Sequence, residues 1–176
     1  MKLDLHGRCR TCFLWVRAMI YFLIGAVVLL TDLLTKLWAK LCLAEIVTIP
    51  VIEKIFHLTY VENRGAAFGV FQGQRVFFVL VAIVVAVLVG YIAIKYKNKP
   101  WMLNLGLSFL SAGALGNTID RIWRGYVVDF FDFRLIDFPV FNVADIFVCL
   151  GAGLLAVFFV FFEEKYKKKE CENDEN

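Results

Sequence analysis

A chain of 176 residues, 61% of them hydrophobic and with a mean hydropathy of +0.73, is too apolar for a soluble globular domain, where about 45–50% is usual. Its net charge of +3 arises from cations at the ends of apolar segments, a mark of membrane topology, and gives no reason to expect nucleic acid as a partner. The composition predicts an all-α integral membrane protein forming a single membrane domain over 1–176.

In chain order, residues 1–12 form a hydrophilic N-terminus. An apolar run from Phe13 to Thr31 follows, interrupted only by Arg17. No small-x-small cleavage site follows it, so it is read as a retained helix over about 13–35. Cys9-x-x-Cys12 has no second pair or His cluster to complete a metal site, and Cys42, Cys149 and Cys171 are irregularly spaced. All five are read as ordinary thiols. The connection over roughly 36–75 contains EIVTIPVIEKIFHLTYV, in which β-branched and aromatic residues partly alternate around Pro50, and predicts two short strands.

Charge-free segments then run from Val76 to Ile94, from Pro100 to Ile119 and from Ile146 to Phe162. Each approaches the roughly 20 residues of a spanning helix. They predict helices over about 76–94, 100–119 and 140–162, four transmembrane helices with the first. Between the last two, GYVVDFFDFRLIDFPVF predicts an extended segment that joins the earlier strands in a small extracytoplasmic β-rich element. Asp129, Asp132 and Asp137 are read there as solvated charges. Residues 163–176 form a charged tail, read as solvated and unstructured.

Lys2, Arg8 and Arg10, then Lys95, Lys97 and Lys99, then Lys165, Lys167, Lys168 and Lys169 fall on one face of a four-span protein. That face is expected to be cytoplasmic, with both termini on it. On the opposite side the sequence puts ionisable groups where a membrane should exclude them, and such groups mark function by default. They are Asp32 with Lys36, Asp120 with Arg121, and Asp145, while Asn63 and Arg64 lie in the intervening VENRGAAFGVF stretch.

Helical spacing sets Asn117, Asp120 and Arg121 on one face of the third helix, and Asn142 and Asp145 on one face of the fourth. Asp120 and Asp145, each preceded by Asn one turn earlier, are expected to face each other across a polar pocket. SAGALG at 111–116 permits close helix approach. Two adjacent carboxyls cannot both ionise cheaply, so one holds a proton while the other activates water for attack on an amide carbonyl. Taken singly, either Asp also suits a helix cap, and Arg121 suits a snorkelling cation. Asp32 with Lys36 reads as a structural i, i+4 pair. His6 and His57 lie far apart in sequence, so no His-based metal site is expected.

Four phrases in order, TDLLTK at 31–36, NRGAAFG at 63–69, GALGNTIDRIWRGYVVDF at 113–130 and FNVADIFVCLG at 141–151, resemble lipoprotein signal peptidase, the type II signal peptidase family. The resemblance extends from Phe13 to about Phe162. It implies a four-helix aspartic endopeptidase of the bacterial inner membrane with its active site near the outer leaflet. It assigns the catalytic dyad to Asp120 and Asp145, supporting roles to Asn63, Asn117, Arg121 and Asn142, and a structural role to Asp32 and Lys36. The implied substrates are prolipoproteins whose Cys carries a diacylglyceryl group, cleaved just before that Cys. Membrane lipids are the other partners, and neither a metal nor an organic cofactor is implied. A monomer is expected.

The outer segments, with aromatics such as Phe68, Phe71 and Tyr126, are expected to close over the site and limit water entry. Departures from the family pattern are Ala112, Leu33 and a longer N-terminal segment. An ion-coupled transporter would distribute its acids toward the bilayer midplane, and a scaffold would tolerate their loss. Neither explains the twin Asn-x-x-Asp. Which Asp holds the shared proton stays open.

Overall fold

The computed structural model describes residues 10–65, 71–96 and 100–174. Lys2, Arg8 and Cys9, together with Phe68, Lys97 and Lys99, lie outside the described residues. Within them the long helices are α1 (Arg10–Cys42), α2 (Arg75–Lys95), α3 (Trp101–Trp123) and α4 (Val143–Val157). The last continues through a π-turn over Phe158–Phe162 into α5 (Glu163–Asp174). α1 passes its expected end near 35 because LWAKLC contains no Pro or Gly to stop it, and Ala39 is fully buried. The charged tail, expected to be unstructured, is helical from Glu163 to Asp174. Glu163 pairs with Lys167 at 2.7 Å and accepts the Tyr96 hydroxyl at 2.6 Å, which ties the start of α5 to the end of α2.

Side-chain contacts fix the helix directions. Ser108 Oγ donates to the Tyr21 carbonyl at 2.6 Å, and Lys36 Nζ donates to Asn117 Oδ1 at 2.8 Å, so α1 and α3 run parallel. Gly113 faces Ala144 while Gly106 faces Gly151, so α4 runs antiparallel to α3. The α3–α4 contact is close enough to need its glycines: a Cβ on Gly113 would lie 2.5 Å from the Ala144 carbonyl oxygen. α2 has no fully buried side chain, only half-buried ones such as Val89, Ile92 and Ala93 against the bundle, as suits an apolar helix at its rim.

Among the described residues, three helical stretches are long and apolar enough to cross a membrane: Trp15–Cys42, Arg75–Lys95 and Val143–Lys168. α3 is 23 residues long but carries Asn104, Asn117, Asp120 and Arg121. These polar side chains lower its hydropathy.

The sheet has three antiparallel strands in the order β1 (Thr48–Ile52), β2 (Phe56–Asn63), β3 (Val127–Phe133). Thr48 pairs with Thr59, and Val61 with Asp129. Phe141 then bridges to Phe131 through hydrogen bonds of 2.8 and 3.1 Å, which holds the chain entering α4 against β3. Ala39 and Leu43 at the end of α1 pack with Val128, Phe130 and Val143, so the sheet is seated on that end of the bundle. A second cluster, Tyr96, Leu103, Leu107, Leu155 and Phe158, closes the opposite end.

Close packing at Gly151 makes a direct prediction. A Cβ there would lie 2.6 Å from the Leu110 amide nitrogen, whereas one at Gly153 meets nothing within 4 Å. Gly151→Ala should lower stability by about 1–3 kcal/mol, and Gly153→Ala should stay within about 0.5 kcal/mol of wild type. Unfolding midpoints of the two detergent-solubilised variants check this.

Candidate active site

α4 starts at Asn142 because a side-chain oxygen there can accept from first-turn N–H groups that lack helical partners. Asn142 Oδ1 accepts the Asp145 N–H at 3.0 Å, and Asp145 Oδ2 accepts the Asn142 N–H at 3.1 Å, a reciprocal capping box. With its oxygen committed to the helix, Asn142 turns its amide group toward β3. Nδ2 donates to Asp129 Oδ1 at 2.6 Å and to Asn117 Oδ1 at 3.2 Å. Asn63 Nδ2 donates to the other Asp129 oxygen at 2.8 Å, and Asn117 Nδ2 donates to Asp145 Oδ1 at 2.7 Å. One fully buried Asn therefore binds Asp129 through its side chain and Asp145 through its main chain.

Asn63, Asn117, Arg121, Asp129 and Asp145 form the polar floor of a cavity of about 720 Å³. Its walls are apolar, among them Phe78, Phe138, Phe141 and Leu150. Arg121 lies over the Phe78 ring at 4.4 Å and donates to the Gly65 carbonyl at 3.1 Å. Its guanidinium offsets the carboxylates while its plane covers an aromatic face. Arg64, expected in the same group, instead pairs with Glu62 at 3.3 Å and stays largely exposed.

Asp120 does not face Asp145 as predicted. It is 1% exposed and turns away from the cavity. Oδ1 accepts Arg124 at 2.6 Å, while Oδ2 lies 3.4 Å from Lys36 Nζ and accepts the Val128 N–H at 3.3 Å. The pull of two cations and a strand amide decides its orientation. Lys36 also meets Asp32 Oδ2 at 2.8 Å, and Asp32 Oδ1 accepts the Ala144 N–H at 2.9 Å. Asp32, Lys36, Asp120 and Arg124 thus form a charge-balanced cluster joining α1, α3 and α4.

Asp129, expected to be solvated, is 2% exposed and stands in its place beside Asp145. The sequence held a signal for this: VVDFF has large apolar residues on both sides of the Asp, as in a strand covered on both faces, not one alternating with water. Asp132 is also buried, held by Thr59 at 2.7 Å and Arg134 at 2.9 Å. Asp137 is exposed. Phe71 and Tyr126, expected to cover the site, do not line the cavity. Phe71 packs at a tilt against Phe77 with ring centroids 5.1 Å apart, and Tyr126 lies under Arg64 at 5.8 Å. Among the described residues no group of three or more His, Cys, Asp or Glu is placed to hold a metal ion.

Burial, and then the charge of Asp145, pushes the Asp129 carboxyl up from 3.8 to about 7; hydrogen bonds from Asn63 and Asn142 and the field of Lys36 oppose the rise.

A helix bundle with two carboxylates on the floor of an apolar cavity has the architecture of a membrane enzyme. A family model described as signal peptidase (SPase) II matches residues 24–161, and the chain belongs to this family of proteases. A lipoprotein signal peptidase of Clostridioides difficile (strain 630) is 44% identical over 147 residues, covering 84% of this chain and 99% of its own. One of Caldanaerobacter subterraneus subsp. tengcongensis is 46% identical over 139 residues, covering 78% and 94%. Two solved structures, both described as bacterial membrane enzymes obtained by the in meso method, have TM-scores of 0.72 and 0.73 at 33% and 32% identity. They cover 80% and 81% of this chain and 87% and 94% of their own.

Two stability predictions follow from these charges. Lys36→Met alone leaves Asp32 and Asp120 facing each other in a buried site and should cost about 3–5 kcal/mol, read as a lowered unfolding midpoint. For Asp129, a folded value of about 7 against an ordinary 3.8 means that the folded state holds the proton more tightly. Its contribution to stability is present at acid pH and is lost as pH rises through about 7. Asp129→Asn should flatten the stability–pH curve between the ordinary 3.8 and about 7, measured by unfolding midpoints across that range.

Proposed function

We propose that Asp129 and Asp145 are the catalytic pair of an aspartic endopeptidase that removes signal peptides from prolipoproteins. The single observation behind this reading is the Asn142 bridge, which holds both carboxylates on the floor of one cavity. It replaces the pairing of Asp120 with Asp145, since both Asp120 oxygens are engaged by the ion cluster and Val128. The implied substrate carries diacylglyceryl on the Cys that follows the scissile bond. A lipid anchor keeps that bond at the membrane surface, and the apolar walls around Phe138, Phe141 and Leu150 suit acyl chains and apolar side chains.

In this reading α3 also crosses the bilayer, making four spans. Both termini are cytoplasmic, the sheet and cavity lie near the outer leaflet of the bacterial inner membrane, and the protein acts as a monomer. At about 1.5 Å per residue, the 23 residues of α3 match the hydrocarbon thickness. Its polar residues Asn117, Asp120 and Arg121 lie at one end and face protein partners.

The chemistry is that of a carboxylate pair sharing one proton. Asp129, raised by burial and by its neighbour, holds that proton near neutral pH. Asp145 acts as the base, oriented by donors from Asn117 and from the first turn of α4. A water between them gives a proton to Asp145 as its oxygen attacks the scissile carbonyl, while Asp129 protonates the carbonyl oxygen. Collapse returns a hydroxyl proton to Asp129. Asp145 then passes its proton to the departing amine of the lipidated Cys as the C–N bond breaks. Asn63, Asn117 and Asn142 orient the carboxylates, and Arg121 balances charge at the cavity floor.

Cleavage of a diacylglyceryl-modified prolipoprotein in detergent, followed by gel shift, tests the assignment. Asp129→Asn and Asp145→Asn should each lose roughly 10²–10⁴-fold in kcat while remaining folded. Asp120→Asn should chiefly lower the unfolding midpoint. Retained cleavage in Asp129→Asn would remove that residue from the mechanism. Activity should also decline as pH rises above about 7, when the pair loses its shared proton.

A further inference from the structure

We infer that Lys36 is a positioning residue of the reaction, acting through Asn117 on Asp145. An Asn side chain can be turned over at little cost unless its neighbours distinguish oxygen from nitrogen. Asn117 has such neighbours on both sides. Its Oδ1 accepts from the Lys36 ammonium at 2.8 Å and from Asn142 Nδ2 at 3.2 Å, and its Nδ2 donates to Asp145 Oδ1 at 2.7 Å. An ammonium can only donate, so it accepts no orientation of Asn117 except the one that sends the NH₂ group to Asp145.

Lys36 does not touch the cavity; it is fully buried. Its other contacts are Asp32 at 2.8 Å and Asp120 at 3.4 Å. A purely structural ion pair needs one carboxylate, whereas here the third contact goes to the amide that holds Asp145. The charged and titratable groups around Lys36 are Asp32 on its own helix, Asp120 on α3 with Arg124 behind it, and Asp129 on β3, whose carboxyl feels its field. α4 contributes the Ala144 N–H, through Asp32. Removing the ammonium therefore has two consequences at the reacting groups. Asn117 loses the contact that fixes its orientation, and the proton of the carboxylate pair is held more tightly.

This inference rests on the pairing of Asp129 with Asp145, so Asp129→Asn is assayed in parallel. Lys36→Met alone risks failing to fold, and the working background is therefore Asp32→Asn. An Asn there retains the acceptor for the Ala144 N–H, and with Met at 36 the cluster reduces to the Asp120–Arg124 pair with no unpaired charge. In this background, adding Lys36→Met should lower kcat by roughly 10- to 100-fold, the loss expected when a reacting group is misplaced by about 1 Å. KM should stay within about threefold. The alkaline limb of the pH–kcat profile should move to higher pH relative to Asp32→Asn, a shift that a merely structural role does not produce. Adding Asn117→Ala should reduce kcat no further, because both changes break the same connection.

Multiplying effects of Lys36→Met and Asn117→Ala would overturn the inference, as would an unmoved alkaline limb or an undiminished kcat. Failure of the charge-neutral double variant to fold would also overturn it, by making Lys36 a requirement of the fold alone. An active Asp129→Asn protein would instead count against the catalytic pair itself.

Discussion

The arrangement of the polar floor depends on the N-cap of one helix. A helix that starts in a buried place must satisfy its first N–H groups without water, and the fully buried Asn142 takes one of them, that of Asp145, with its side-chain oxygen. Its amide hydrogens must point away from α4. Because Phe141 is hydrogen-bonded to Phe131, the direction available is toward β3, where Asp129 stands. The requirement for a satisfied helix end thus becomes a device for setting one carboxylate beside another. Asp145 completes the same cap, so the fold and the proposed chemistry share their hydrogen bonds.

The glycines of α3 and α4 make that geometry possible from the other side. Gly106, Gly113 and Gly151 bring the two backbones close enough for Asn117 on α3 to reach Asp145 on α4 directly, at 2.7 Å. Larger residues would open the helix pair, and a water would have to fill the gap between amide and carboxylate. Dispersion contacts between small residues, individually weak, therefore control the position of a strong polar contact.

Much of this was legible in the sequence, and the omissions have physical causes. The long apolar stretches, the small sheet and the clustering of Asn117, Arg121, Asn142 and Asp145 follow from hydropathy, alternation and spacing, and the place of Asn63 beside them from the family resemblance. The neighbour of Asp145 escapes helical periodicity, which can rank only residues on helices. Asp120 and Asp145 matched as a pattern, Asn-x-x-Asp twice, but pattern says nothing of what else competes for a side chain. Arg124, one turn beyond Asp120, and Lys36, remote in sequence, claim its oxygens. Asp129 lies in a segment that reads as a solvated strand, although four of the five residues of VVDFF are Val or Phe. A strand so apolar has little water on either face, and that was the stronger clue.

Asp32, Asp120, Asp129 and Asp145 are chemically the same, and their surroundings divide them into two kinds. Asp32 and Asp120 have Lys36 and Arg124 in direct contact, so their charge is neutralised where it stands. Asp129 and Asp145 are met instead by Asn63, Asn117 and Asn142, neutral donors that orient an oxygen without cancelling its charge. The nearest guanidinium on the cavity floor, Arg121, spends its hydrogen bonds on carbonyl oxygens. Amide neighbours thus orient the second pair without an opposing charge in contact, while ammonium and guanidinium neighbours fix the first. The choice between Asn and a cation as neighbour is what separates the carboxylates that hold the bundle together from those proposed to react.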